Sequence, residues 1–257
     1  MSLDGRLHGY RVLVTGGSRG IGAATARAFV AEGAAVAIHH EPTPAMTDLA
    51  KGLVDDLRVT GGQVAAVPGD LADPAGPGQV VAAARSSIGP LTTVVANAAA
   101  SGRSPFQEIS IPQWDHVQAV NTRGTWLLAA AARSDLIANR GSLITLTSVM
   151  VETGQPDAVH YTASKAAILG MTRALARELG PHHVRVNAVM PGAIRTEQEL
   201  ELSPDADAVA ARILPKQALP RRGTADDLTG AFVFLASDEA SFITGQVINV
   251  DGGWVMY

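Results

Sequence analysis

Short β-branched runs alternate with longer alanine-rich stretches along the whole chain, and few folds accept that order. The strand-like runs are RVLVT (11–15), AVAIH (35–39), QVAAV (63–67), TTVVA (92–96), SLITLTS (142–148), VRVNAV (184–189) and QVINV (246–250). Between them, 21–32, 45–60, 74–88, 112–138, 160–179 and 225–236 carry helical spacing. Several runs are apolar almost throughout, as needed where helices cover both faces of a parallel sheet. Parallel neighbours require crossovers, and those crossovers are right-handed. The pattern predicts an α/β fold, a doubly wound parallel sheet of about seven strands with helices on both faces. No polar linker divides the chain, so one domain over 1–257 is expected. The least regular stretch, 191–222, shows no strand-like run and reads as a substrate loop or pocket wall.

Composition removes several classes of function. Apolar residues make up 47% and charged residues 17%, which is a folding composition. A net charge of −4 offers nothing to nucleic acid or to an anionic membrane surface. Cysteine is absent, which excludes disulfides and thiol chemistry. No apolar run approaches 18 residues and no signal-like segment precedes the first strand, so a cytoplasmic protein is expected. The histidine pairs at 39–40 and 182–183 lack the spacing of a metal site, and no metal is expected. The G-x-S-x-G elbow of a serine hydrolase is missing.

The first strand runs into a glycine loop, VLVTGGSRGIGAATARAF (12–29). Gly16, Gly20 and Gly22 lie between a strand and a helix, where a tight turn brings backbone N–H groups and the helix dipole to a pyrophosphate. The loop lacks the Lys-Ser/Thr pair of a P-loop NTPase, so a dinucleotide on a Rossmann-like sheet is the expectation. The end of the second strand reads the adenosine ribose. There Glu41, 19 residues after Gly22, leaves NAD(H) possible. Arg19, inside the loop, offers a guanidinium fork for the 2′-phosphate of NADP(H), and NADP(H) is favoured.

Tyr161 and Lys165 stand four residues apart on the helix beginning near 160. Such residues share a face, with Cβ atoms about 5–6 Å apart. A cation at ~4 Å from a phenol is worth about 1 kcal/mol in water and about 4 kcal/mol near a protein surface. That is enough to bring a phenol of pKa about 10 down by up to roughly three units, toward useful acid/base chemistry. The spacing also arises by chance on many helices, and context must decide. Ser148 ends an apolar strand thirteen residues earlier, where a hydroxyl can meet a substrate oxygen or simply form a turn. Asn121 interrupts a predicted helix, either to hold a water or to mark a kink.

TGGSRGIG (15–22), Asn121, Ser148 and YTASK (161–165), in this order, resemble the short-chain dehydrogenase/reductase family. The resemblance runs essentially from end to end, through GDLAD (69–73), ANAA (96–99), PGAIRT (191–196) and VDGG (250–253). It implies that Tyr161 is the catalytic acid/base, that Lys165 lowers its pKa and binds the nicotinamide ribose, that Ser148 orients the substrate oxygen, and that Asn121 supports a relay water. It also implies cofactor contacts at Gly16, Ser18, Arg19, Gly20, Ile21 and Gly22, then at His40, Asp70, Leu71 and Asn97. Tyr161, Lys165, Pro191, Gly192, Ile194 and Thr196 complete that set, with Asp70 near the adenine and Ile194 and Thr196 at the carboxamide. Two positions depart from the family pattern. Ala99 replaces a glycine beside the cofactor, and His40 stands where NAD-preferring members carry aspartate.

The activity implied is hydride transfer between a nicotinamide cofactor and a ketone or secondary alcohol, a small-molecule substrate. The alternative is a non-catalytic nucleotide sensor or scaffold on the same fold. Substrate walls are expected after Asn97, at Met150–Gln155 and after Pro191, where Glu197, Glu199, Glu201, Asp205 and Asp207 disfavour a strongly anionic substrate. Small residues on the helices at 112–138 and 160–179 permit close packing, and the resemblance implies a homotetramer built partly on them.

Overall fold

In a computed structural model describing residues 5–256, seven strands form one parallel sheet. They are β1 (Arg11–Val14), β2 (Ala35–His40), β3 (Val64–Pro68), β4 (Thr93–Ala96), β5 (Ser142–Leu146), β6 (Arg185–Pro191) and β9 (Val247–Val250). Two further strands, β7 (Ile194–Arg195) and β8 (Gly223–Thr224), pair in parallel apart from that sheet. The segment expected to lack a strand therefore contains a short one. It also carries two helices, α8 (Glu197–Leu202) and α9 (Ala206–Ile213).

The main sheet runs in the order β3-β2-β1-β4-β5-β6-β9. Alternation along each strand sends one set of side chains to each face. Val12, Val14, Val36 and Ile38 pack on one face with α1 (Gly20–Ala31), α2 (Pro44–Val59) and α10 (Asp226–Ala236). Leu13, Ala35, Ala37 and Val94 pack on the other with α3 (Gly76–Ile88), α5 (Gly124–Asn139) and α7 (Val159–Leu179). Phe29 and Phe232 are fully buried between α1, α10 and the sheet. Each such side chain contributes about 1.5–3 kcal/mol by leaving water.

The predicted helix at 112–138 is broken. Helix α4 (Ile111–Gln118), started by a capping box of Ser110 and Gln113, passes through a π-helical turn at Ala119–Arg123 before α5 begins. Asn121 sits in that turn, so the residue read from sequence as a poor helix former marks the irregularity. A short helix, α6 (Met150–Thr153), follows β5.

The chain winds outward from β1 to β2 and β3, then returns to β4 on the far side of β1. The carboxyl ends of β1 and β4 thus form the switch point at which open α/β sheets bind ligands.

Candidate active site

A cleft of about 590 Å3 opens at that switch point. Its wall takes residues from the end of every strand between β3 and β6: Gly16, His39, Gly69, Asn97, Ser148 and Gly192. The volume lies within the range of about 300–1,000 Å3 typical of ligand sites.

The glycine loop is shaped by contacts that a side chain would destroy. Gly16 has φ +59°, and a Cβ on Gly22 would lie 2.1 Å from the Gly16 carbonyl oxygen. Gly22 therefore packs the first turn of α1 on the loop and is not itself in the cleft wall. No acid occupies the first turn of α1, so its positive end is left for a phosphate. Asn97 ties the loop to β4, with Nδ2 donating to the carbonyls of Thr15 at 2.8 Å and Gly16 at 3.0 Å. Asp70 accepts from Ala72 N–H at 2.8 Å, holding the turn after β3. These features fit a dinucleotide: a bare backbone cradle, a helix N-terminus and room for an extended ligand.

His39 was not foreseen in this role. It is 3% exposed, and its Nδ1 accepts from Gly16 N–H at 3.1 Å. The other ring nitrogen must then carry the proton, and Nε2 donates to the Gly69 carbonyl at 3.1 Å. The neutral ring thus joins the glycine loop to the turn after β3. Burial pulls its pKa down to about 4, against the smaller opposing effects of the Gly69 carbonyl and the Asp70 carboxylate. His40, expected beside the ribose, is buried and does not line the cleft. Strand alternation turns it to the opposite face from His39, and its Nδ1 lies 2.8 Å from the Glu41 carbonyl. Period two along β2 is the signal that separates the two histidines.

At the other end, Ser148, Tyr161 and Lys165 all line the cleft. Ser148 Oγ accepts from Met150 N–H at 3.2 Å, which fixes the hydroxyl just beyond β5. Lys165 is 4% exposed, and its Nζ donates to the Leu146 carbonyl at 2.9 Å. Burial lowers its pKa to about 8. The amine lies 5.8 Å from the centre of the Tyr161 ring. The phenol is pushed up by burial, while the neighbouring Ser148 hydroxyl acts in the opposite direction. Burial therefore outweighs the expected acidification of Tyr161 by Lys165, and the phenol is held above its usual value. Desolvation dominates for both groups, and the neighbouring Ser148 hydroxyl favours the phenolate.

Asn121 is buried and lies behind the cleft wall. Its Oδ1 accepts from Ala100 N–H at 2.8 Å, and its Nδ2 donates to the Ala100 carbonyl and to Ser164 Oγ, each at 2.9 Å. The side chain thus fastens the π-helical turn and α7 to the loop that follows β4. Ser18, Arg19, Gly20, Ile21, Leu71, Pro191, Ile194 and Thr196 all line the cleft, as does Ala99.

A family model described as "Enoyl-(Acyl carrier protein) reductase" matches residues 16–255. A 2-(S)-hydroxypropyl-CoM dehydrogenase of Xanthobacter autotrophicus is 36% identical over 259 residues, covering 98% of each chain. A blue fluorescent protein from a metagenomic library, solved with NADPH, superposes with TM-score 0.90 at 33% identity, covering 98% of this chain and 100% of that one. A short-chain type dehydrogenase/reductase of Mycobacterium marinum superposes with TM-score 0.87 at 32% identity, over 98% and 97% of the two chains. The chain is a short-chain dehydrogenase/reductase. It is accordingly an NAD(P)-dependent enzyme acting on CH–OH donors.

In this dehydrogenase/reductase the segment after Pro191 closes the front of the cleft. Thr196 caps α8, accepting from Glu199 N–H at 3.2 Å. Glu199 pairs with Arg222 at 2.6 Å, and Glu201 pairs with Arg19 at 2.7 Å. Arg19 thus meets Glu201, and not Glu41, among the described residues. The remaining wall includes Met46, Arg103, His116, Gln155, Arg212 and Trp254. Arg103, Gln155 and Arg212 lie in the stretches expected to form substrate walls, whereas nothing in the local sequence distinguished Met46, His116 or Trp254. His160, next to Tyr161, is buried away from the cleft wall. Among the described residues, no group of three or more His, Asp or Glu is placed to hold a metal, and no helix is long and apolar enough to cross a membrane.

Proposed function

We propose that the enzyme transfers a hydride between NADP(H) and a ketone or secondary alcohol, with Tyr161 as the acid/base. The observation that carries this reading is the convergence of Ser148, Tyr161 and Lys165 on one cleft, with the Lys165 amine 5.8 Å from the centre of the Tyr161 ring. The cofactor, when bound, supplies or accepts the hydride at its nicotinamide ring. The glycine loop from Gly16 to Gly22 and the positive end of α1 would hold its pyrophosphate. Pro191, Gly192, Ile194 and Thr196 line the part of the cleft suited to the carboxamide.

The protein's own work is positioning and proton transfer. Ser148 Oγ, fixed by Met150 N–H, holds the substrate oxygen beside the phenol. In reduction Tyr161 gives that oxygen its proton. In oxidation the phenolate takes the proton back. Lys165 steadies the phenolate from within the wall while its carbonyl contact keeps the amine in place. Asn121 acts through the backbone of Ala100, keeping the floor of this pocket in register.

NADP(H) is favoured because Arg19 lines the adenosine end and no aspartate occupies position 40. Glu41 in the same wall keeps NAD(H) a possible second cofactor. The chain is further proposed to work as one cytoplasmic domain, with 191–222 as its substrate segment, in a homotetramer. The exposed Trp114 and Trp126 on α4 and α5 support an assembly there, and light scattering tests it. A panel of aldehydes, ketones and polyols, followed by absorbance of reduced cofactor with NADH and NADPH, tests the reaction. Turnover of a ketone or secondary alcohol is expected. Cofactor binding with no turnover across the panel overturns the reading.

A further inference from the structure

Helix α8 crosses the mouth of the cleft and is fastened to both walls. On the substrate side, Gln198 Nε2 donates to Ser101 Oγ at 3.1 Å. On the glycine-loop side, Arg19 Nη1 donates to Glu201 Oε1 at 2.7 Å. Between them, Glu199 holds Arg222, whose side chain is only 13% exposed. The start of the helix also rests on the loop: a Cβ on Gly20 would stand 3.5 Å from Thr196 Cγ2 and 3.6 Å from Glu197 Oε2. The first turn of α8 is therefore anchored, and its far end is held to the loop by one ion pair.

That pair is unlike the Glu199–Arg222 pair. The Glu201 side chain is 60% exposed and that of Arg19 is 28% exposed. Exposed pairs contribute little to stability and release easily. Yet Arg19 is the one base the glycine loop presents to the cleft. Glu201 engages only Nη1 of that guanidinium, but its negative charge there opposes the approach of a second anion to the same group.

We propose that Glu201 competes with the 2′-phosphate of NADP(H) for Arg19, and that this competition tunes the preference between NADP(H) and NAD(H) and loosens α8 from the glycine loop only for the phosphorylated cofactor. The proposal rests on the NADP(H) reading above. A phosphate monoester carries about −1.5 to −2 charges at neutral pH, so it displaces a singly charged carboxylate from the fork. The released carboxylate is already largely in water and loses little. NAD(H) brings only a neutral hydroxyl to the same place and leaves the Arg19–Glu201 contact closed. Glu41 and Asp70, which also line this end of the cleft, make no ion pair with Arg19.

The test is direct titration of the full-length protein with NADPH and with NADH, in wild type, Glu201→Gln, Arg19→Ala and the double variant. Glu201→Gln should tighten NADPH about threefold to fivefold, the worth of one exposed ion pair. NADH should change by less than about 1.5-fold, because it makes no use of the fork. The gain should shrink at high salt, where exposed charges are screened. On the Arg19→Ala background the Glu201 substitution should do nothing. Equal tightening of both cofactors would show a general charge effect, and no tightening would show an idle surface pair; either overturns the proposal. If Arg19→Ala leaves the NADPH/NADH ratio unchanged, the NADP(H) reading itself fails. If Arg19→Ala lowers the ratio while Glu201→Gln does not raise it, only the role of Glu201 fails. Glu201→Ala serves as a second variant with the same expected direction.

Discussion

The two ends of the cleft handle charge in opposite ways. At the proposed catalytic end Lys165 is 4% exposed and, among the described residues, has no carboxylate partner, only the Leu146 carbonyl. At the adenosine end Arg19 stays partly in water and shares its charge with Glu201. The first arrangement costs stability, since a buried ammonium is held away from solvent. The second costs almost nothing and comes apart easily. In the proposed reaction the phenol works beside a dry, fixed cation, whereas the proposed recognition of a phosphate calls for a cation that can change partners. One cleft contains both because each end is built from different strand termini.

The largest effect should follow from attacking the catalytic end. Tyr161→Phe removes the proton donor and leaves the ring packing in place. Turnover should fall by about 10²–10⁴-fold, the usual worth of a positioned acid/base. Titration should show cofactor affinity nearly unchanged, because the adenosine end is untouched. Near-normal turnover would remove the distinction between the two ends.

Lys165→Met probes the cost directly. The folded pKa of about 8 lies below the ordinary 10.5. The unfolded chain therefore binds the extra proton between those values. Stability held back by Lys165 is missing below pH 8 and is recovered as pH rises toward 10.5. At about 1.4 kcal/mol per pKa unit, the penalty near neutrality is roughly 3 kcal/mol. The variant should lose activity yet melt roughly 5–10 °C higher at pH 7, with the difference vanishing above pH 10.5. Calorimetry across that range checks it. No stabilisation would mean that the catalytic end is not strained.

The same contrast explains what could be read before the fold was known. All seven strands of the main sheet were legible because their apolar, β-branched runs are what a sheet covered on both faces requires. Ser148, Tyr161 and Lys165 were legible as well, since two share one helix and the third ends a strand. The π-helical turn appeared only as an awkward Asn121, because its backbone is set by the loop that Asn121 binds. The direction of the Tyr161 shift was misjudged. A spacing of four fixes proximity but says nothing about desolvation, and desolvation decides here. His40 was expected at the cofactor and His39 was given no role at the site, although His39 is the one that meets the glycine loop. Both end β2, and only the pleat tells which one reaches the glycine loop. The partners of Glu199 and Glu201 lie far away in sequence and become visible only when α8 folds over the cleft.

The smallest effect should come from His39, which belongs to the adenosine end yet is as dry as Lys165. Its folded pKa of about 4 lies below the ordinary 6.5. Above pH 6.5 both states are neutral and nothing is lost. As pH falls from 6.5 to 4 the unfolded chain gains a proton that the folded ring refuses, and stability declines. The full loss approaches roughly 3 kcal/mol only near pH 4, where carboxylates also begin to titrate. The informative window is therefore pH 6.5 to 5, where the expected decline is at most about 2 kcal/mol. His39→Gln keeps an acceptor and a donor but cannot ionise, so its denaturant midpoint should stay flat through that window while the wild type falls. Protonation would also turn Nδ1 into a donor facing Gly16 N–H, so wild-type cofactor affinity should weaken over the same interval and the variant's should not. Parallel acid limbs in the two proteins would show that His39 does not hold the glycine loop, and the adenosine end would then be set by its wet charges alone.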